Sequence, residues 1–181
     1  MMEGQDAAII SPTYESEAIG VVGFYLGGEE YAIELLQVQS INQLRDYPMT
    51  RVPRTPSFVK GVINLRGQIV PVIDLKKRFN LGGDTEVGLK TRVVIARLEE
   101  IQVGVAVDEV TGTFDLPTDS IELPPQTTGA GIESAYIQGI GKINDHLLIL
   151  LDLDKIFSAE SWSSALTAAG YGGAKAASGS V

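Results

Sequence analysis

The chain has no cysteine and only one histidine among its 181 residues. Without thiols there are no disulfides, no thiolate metal sites and no cysteine nucleophile, which fits a reducing, cytoplasmic compartment. A serine–histidine pair would have to use His146, which falls at an expected hairpin turn and reads as an exposed, solvated side chain. A lone histidine among scattered carboxylates lacks the spacing of a zinc site, and there is no EF-hand loop and no Gly-rich phosphate loop. No catalytic residue, metal ligand or cofactor is therefore expected. No apolar run reaches the roughly 18 residues of a membrane-spanning helix, so no membrane insertion is expected either. The opening stretch, MMEGQDAAIISPTYESE, lacks the basic-then-apolar pattern of a secretory signal. Positive charge is scarce: 14 Lys and Arg stand against 23 Asp and Glu, a net of −9 that argues against nucleic-acid binding.

What positive charge there is sits in one place. From Arg45 to Arg78 there are eight basic residues against Asp46 and Asp74, a net of +6 that leaves −15 for the rest of the chain. Such a segment is either a set of solvated loop and helix-end charges or a basic docking patch that steers an acidic partner.

The most structured stretch is Phe58 to Phe79, FVKGVINLRGQIVPVIDLKKRF. Two β-branched runs, Val59 to Leu65 and Ile69 to Ile73, flank Arg66-Gly67, where glycine supplies the positive φ of a tight hairpin turn. A short helix from Leu75 to Phe79 closes the unit. Apolar residues on both faces of the strands place the hairpin inside a packed β structure, with an arginine displayed at its tip. The unit recurs 78 residues later: Gly61, Asp74, Leu75, Lys77 and Phe79 have identical counterparts at Gly139, Asp152, Leu153, Lys155 and Phe157. Upstream, Tyr31-Ala32-Ile33 resembles Val103-Gly104-Val105 at an offset of 72, which implies a small insertion between the halves. Two copies of one β unit follow. Asp74 and Asp152, each opening a short helix, read as N-terminal caps rather than paired acids.

Taken in order, residues 1–18 read as a flexible tail. Val21–Leu26 and Glu30–Leu35 form a hairpin about Gly27-Gly28, and Val38 to Leu44 forms a further strand. The loop from Asp46 to Ser57 is stiffened by Pro48, Pro53 and Pro56. One lobe would thus run over about 20–80, a Gly-rich linker over 81–90, and a second lobe over about 91–158. In the second lobe, Thr91–Leu98 and Gln102–Val107 turn at Glu99-Glu100, Val110–Phe114 is a strand, and Leu116–Gly131 is a long loop. Tyr136–Ile143 and Leu147–Leu151 then repeat the hairpin about Asn144-Asp145. The Glu29-Glu30 and Glu99-Glu100 pairs read as solvated. Residues 159–181, rich in Ala, Ser and Gly, read as a disordered tail. Many short strands with Gly and Pro turns imply an all-β fold of small barrels filled by side chains.

Tyr31 through Val38, then Pro56, Gly61, Asn64-Leu65-Arg66-Gly67, Val70-Pro71 and Ile73-Asp74-Leu75, closely resemble the CheW family of chemotaxis coupling proteins. The resemblance covers about residues 20–158, with Gly104, Val107-Asp108, Val110 and Leu148 to Leu151 in the second half. It implies two SH3-like five-stranded β-barrels around a shared core, with short helices and no enzymatic activity. It also implies an adaptor that bridges the cytoplasmic tips of methyl-accepting chemoreceptors and the regulatory domain of the histidine kinase CheA, and that is recruited to membrane-bound receptor arrays. By this resemblance Arg66, Asn64 and Gly67 match the receptor- and kinase-coupling motif, Val38, Gln39 and Gly61 lie near a receptor groove between the lobes, and Gly139 and Gly141 serve either an interface or hairpin geometry. Val38 reads equally as a core strand residue, and Arg66 as an ion pair across the lobes. Ser40 departs from the acidic residue many relatives carry there. Two other readings stay open: a similar adaptor in a non-flagellar or surface-motility system, and a small-ligand-binding β-barrel. Too few residues follow Phe157 for the receiver domain that a related family joins to this fold. A monomer is expected in dilute solution.

Overall fold

The structure is a computed structural model in which residues 17–83, 85–99, 101–124 and 132–158 are described. The two expected tails therefore lie outside the described residues, apart from Glu17 and Ala18, of which Ala18 opens the first strand.

Strands β1 (Ala18–Leu26) and β2 (Glu29–Glu34) form the first hairpin, followed by β3 (Val38–Gln43). Then come β4 (Val59–Leu65), β5 (Gln68–Asp74) and helix α1 (Leu75–Arg78). The later half supplies β6 (Arg92–Leu98), β7 (Ile101–Val107), β8 (Glu109–Pro117), the two-residue β9 (Ile121–Glu122), β10 (Ile137–Ile143), β11 (His146–Leu151) and α2 (Leu153–Ser158). The hairpins turn where the sequence places them. Gly27-Gly28, Arg66-Gly67 and Asn144-Asp145 all have positive φ at both positions, the backbone that matches the twist of paired strands.

The strands form two sheets, one of six strands in the order β8-β1-β2-β11-β10-β9 and one of five in the order β3-β6-β7-β5-β4. The all-β, two-lobed expectation holds. The contiguous lobes over 20–80 and 91–158 do not correspond to these sheets. β1 and β2 leave their own half to join β8 and β11, while β6 and β7 join β3 and β5. Each sheet therefore takes the first hairpin of one repeat and the later strands of the other. The exchange runs through parallel pairing of Tyr31 with Ile149 and of Val72 with Gly104. Parallel neighbours need no connecting turn, so no turn residue marks them in the sequence.

The repeat itself is closely obeyed. Thr50 bridges Val62 as Glu122 bridges Ile140, at offsets of 72 and 78. The expected insertion lies not between the halves but inside the second copy, in the connection from β9 to β10. β8 also runs past Phe114 to Pro117, further than expected. As an edge strand it tolerates a residue with no amide hydrogen at its end.

Period-two alternation explains why the strands are apolar on both faces. On β6, Val93 and Ile95 belong to a cluster with Ile63, Leu65, Val70 and Val72, whereas Val94 and Ala96 point into a second cluster. That second cluster gathers Val22, Phe24 and Ile33 of one sheet with Ile73, Val105 and Val107 of the other, and so is the shared core between lobes. Val21, Ala32, Leu116, Leu148 and Leu150 form the private core of the six-stranded sheet. Each fully buried Val or Leu contributes about 1.5–3 kcal/mol relative to exposure.

Both short helices start on the expected caps. Asp74 accepts hydrogen bonds from the amides of Lys76 (3.0 Å) and Lys77 (3.3 Å), and Asp152 accepts one from Lys155 (3.1 Å). Two other readings need correction. His146 is the first residue of β11, half-buried, with Nδ1 2.9 Å from the Glu30 carboxylate and its ring edge-on to Phe114. Glu30, far from solvated, is largely buried and also accepts a hydrogen bond from Thr111 at 2.6 Å. The fold brings β2, β8 and β11 together there, which no local pattern foretells.

Candidate functional site

Asn64, Arg66 and Gly67 meet at the tip between β4 and β5. The amide of Gly67 donates to Oδ1 of Asn64 at 2.8 Å, closing the turn from the side-chain side. This explains the choice of asparagine, whose short amide mimics a backbone turn. Between them Arg66 adopts a left-handed φ of 54°, a conformation that costs a residue with a β-carbon about 1–2 kcal/mol. Arg66 is exposed and makes no ion pair with any described residue, so the reading of an inter-lobe ion pair is not realised. Beside it, directly opposite Asn64, Ile69 is 48% exposed. The tip thus offers a planar cation next to an apolar contact, on a turn fixed at both ends.

Val38 and Gln39 lie on β3, at the opposite edge of the five-stranded sheet from β4. Val38 is half-buried against the shared core, so its core role is real, while the carboxamide of Gln39 accepts a hydrogen bond from that of Gln102. The structure therefore does not join them to the Arg66 tip. Leu35 and Leu36, in the 3-10 turn just before β3, are exposed, Leu36 by 94%. The sequence pattern places Leu35 at the end of a strand. A Leu-Leu pair between two strand patterns was the available signal. Ser40 donates to Asn42 at 3.0 Å on the same strand.

The three glycines behave as structural elements. Gly61 has φ of 152° at an irregularity in the β4–β5 pairing, and a β-carbon there would sit 2.5 Å from the carbonyl oxygen of Thr50. A β-carbon on Gly139 would collide with Ile121, and one on Gly141 would meet Leu116 at 2.6 Å. All three are buried, so each secures close strand packing.

Among the described residues no group of three or more His, Asp or Glu is placed to hold a metal ion, and no helix is long and apolar enough to cross a membrane. Burial, then the Glu29 charge, pushes the Tyr31 hydroxyl up to about 12.

The chain is similar to known proteins over most of its length. The chemotaxis protein CheW of Klebsiella aerogenes is 38% identical over 138 residues, covering 76% of this chain and 80% of that protein. The CheW of Bacillus subtilis is 36% identical over 146 residues, covering 81% of this chain and 91% of that protein. The crystal structure of the scaffolding protein TtCheW from Thermoanaerobacter tengcongensis matches with a TM-score of 0.71 at 34% identity, over 80% of this chain and 91% of that one. The CheW-like domain family matches residues 20–161, the span that holds the Arg66 tip and all of both sheets but the first two residues of β1, and the chain belongs to that family.

Proposed function

We propose that this protein is a non-catalytic chemotaxis adaptor that couples methyl-accepting chemoreceptors to the regulatory domain of the histidine kinase CheA at membrane-bound arrays. The observation that carries this reading is Arg66, exposed on a turn held by the Asn64–Gly67 hydrogen bond. A guanidinium on a rigid tip loses little entropy when it binds, keeps its charge at neutral pH, and can contact a carboxylate through two parallel hydrogen bonds. Ile69 adds apolar area beside it. At the other edge of the same sheet, the exposed Leu35 and Leu36 just before β3 offer a separate apolar area next to Gln39, suited to the face of a receptor helix. Two contact surfaces on one rigid body are what an adaptor requires.

The test is a three-way titration of wild-type and Arg66→Glu protein with a chemoreceptor cytoplasmic fragment and the CheA regulatory domain from the same cell, following binding and kinase activation together. Wild type is expected to join both partners and activate the kinase, and Arg66→Glu to lose coupling while remaining folded. Failure of wild type to bind either partner would remove the chemotaxis role and direct attention to receptors of another pathway.

A further inference from the structure

The proline-stiffened loop before β4, which carries two arginines of the segment that reads as either solvated charge or a basic docking patch, has a concave face. Its start is stapled to β4 by reciprocal backbone hydrogen bonds between Thr50 and Val62, at 3.0 and 2.8 Å. Its middle is fixed by the Thr55 hydroxyl donating to the Val52 carbonyl at 2.8 Å, and its end by the Val59 amide donating to the Pro56 carbonyl at 3.0 Å. Within it Arg54 is held at a left-handed φ of 66°, a backbone state that residues other than glycine seldom adopt. Strain of this kind persists only where the surroundings over-determine it.

Two cavities adjoin along this loop, of about 310 and 220 Å³, with Arg51, Ser57 and Val59 lining both. Arg54 lines the first, and Lys60 and Lys77 the second. Arg51 and Arg54 are exposed and make no ion pair with any described residue. Among the described residues lining the groove the one carboxylate, Asp74, is fully buried and accepts from the amides of Lys76, Lys77 and Thr85. Lys60 spends one hydrogen on the Thr85 carbonyl at 2.8 Å and stands 3.8 Å from Asp74, leaving an ammonium with three donors only partly engaged. Between the cations the surface is apolar: Pro53 and Pro56 in one cavity, Met49 and Val87 in the other.

We infer that this groove is a docking site for an acidic segment of a partner protein, one whose carboxylates flank apolar side chains. The charge pattern selects the sign, since the groove lies in the +6 segment of a chain that carries −15 elsewhere. The alternation of cations with proline, methionine and valine selects a peptide over a bare anion or a nucleic-acid strand, which would leave the apolar floor uncovered. The prolines fix the receiving surface before binding, so little order is lost on association. The site is separate from the Arg66 tip: Val59 and Leu65 are the two ends of β4.

The experiment is fluorescence anisotropy with a labelled short peptide in which Glu and Asp alternate with Leu, against the same peptide with Gln and Asn in place of the acids, a single-stranded oligonucleotide of equal length, and inorganic phosphate as competitor. The acidic peptide is expected to bind full-length protein in a salt-sensitive manner. The Arg51→Glu, Arg54→Glu double variant should bind roughly tenfold or more weakly, whereas Arg45→Glu, an exposed cation outside the groove, and Arg66→Glu should bind as wild type does. Melting temperature checks that the double variant is folded. Equal binding by wild type and double variant, or no binding of the acidic peptide, would overturn the proposal. So would equal affinity for the oligonucleotide, displacement by millimolar phosphate, or a concentration-dependent dimer that the double variant abolishes. Loss of peptide binding in Arg66→Glu would merge the groove with the tip and likewise end it as a separate site.

Discussion

Thr85 is fastened to Asp74 by two hydrogen bonds, its amide donating to Oδ2 at 2.9 Å and its hydroxyl to Oδ1 at 3.2 Å. The carboxylate that caps α1 therefore also ties down the Gly-rich connection that follows the helix. Both residues are fully buried, so the connection is part of the packed structure at that point.

Asp74→Ala strands four donors at once, and its expected cost is about 2–4 kcal/mol. Asp152→Ala removes a single capping bond from a more exposed site and should cost about 1 kcal/mol. Urea denaturation of the two variants side by side measures the difference. Equal losses would show that the Thr85 clamp adds nothing to the cap.

Arg66→Gly separates strain from recognition. A β-carbon in the left-handed region costs about 1–2 kcal/mol, and glycine's extra unfolded-state entropy returns about 0.5–1 kcal/mol of that. The variant should be about 0–1.5 kcal/mol more stable than wild type, yet fail to couple receptor and kinase. A variant that is both more stable and fully active would take Arg66 out of the contact surface.

Gly61 and Gly67 both have positive φ but differ in surroundings. A β-carbon on Gly67 meets nothing within 4 Å, whereas one on Gly61 meets the Thr50 carbonyl at 2.5 Å. Gly67→Ala should cost only the backbone penalty of about 1–2 kcal/mol. Gly61→Ala should cost about 2–5 kcal/mol, because overpacking adds to that penalty. If Gly61→Ala melts like wild type but no longer binds its partners, Gly61 is a contact residue after all.

Alkaline pH should weaken the fold through Tyr31. Its hydroxyl is pushed up to about 12 by burial and by the Glu29 charge, against an ordinary value near 10 in the unfolded chain. The folded state holds this proton more tightly, so the contribution is fully present below pH about 10. Stability is then lost as pH rises from about 10 to about 12, at about 1.4 kcal/mol per pH unit. Denaturant midpoints measured across this range should fall less steeply in Tyr31→Phe. Identical slopes would mean that other groups govern alkaline unfolding.

The Arg66 tip was legible because its geometry is local: Asn64, Arg66 and Gly67 stand within four residues, and the turn needs nothing distant to form. The private roles of Gly61, Gly139 and Gly141 were not, since the atoms they make room for belong to Thr50, Ile121 and Leu116. The outward turn at Leu35, which the pattern places at the end of a strand, was hidden for a related reason. Apolar character announces a buried strand until the chain is seen to turn outward there.

Sequence alone determined ten of the eleven strands, the four hairpins, the two capped helices and the twofold repeat, because each rests on side-chain periodicity or on turn and cap residues a few positions apart. Only the tertiary structure decided which hairpin joins which sheet. The two copies are alike enough that β1 and β2 could complete either set of later strands by pattern. What settles the choice is the parallel pairing of β2 with β11 and β7 with β5, together with the shared core of Phe24, Ile33, Ile73 and Val105. Those contacts form between segments far apart in the chain, where no turn residue and no period can signal them.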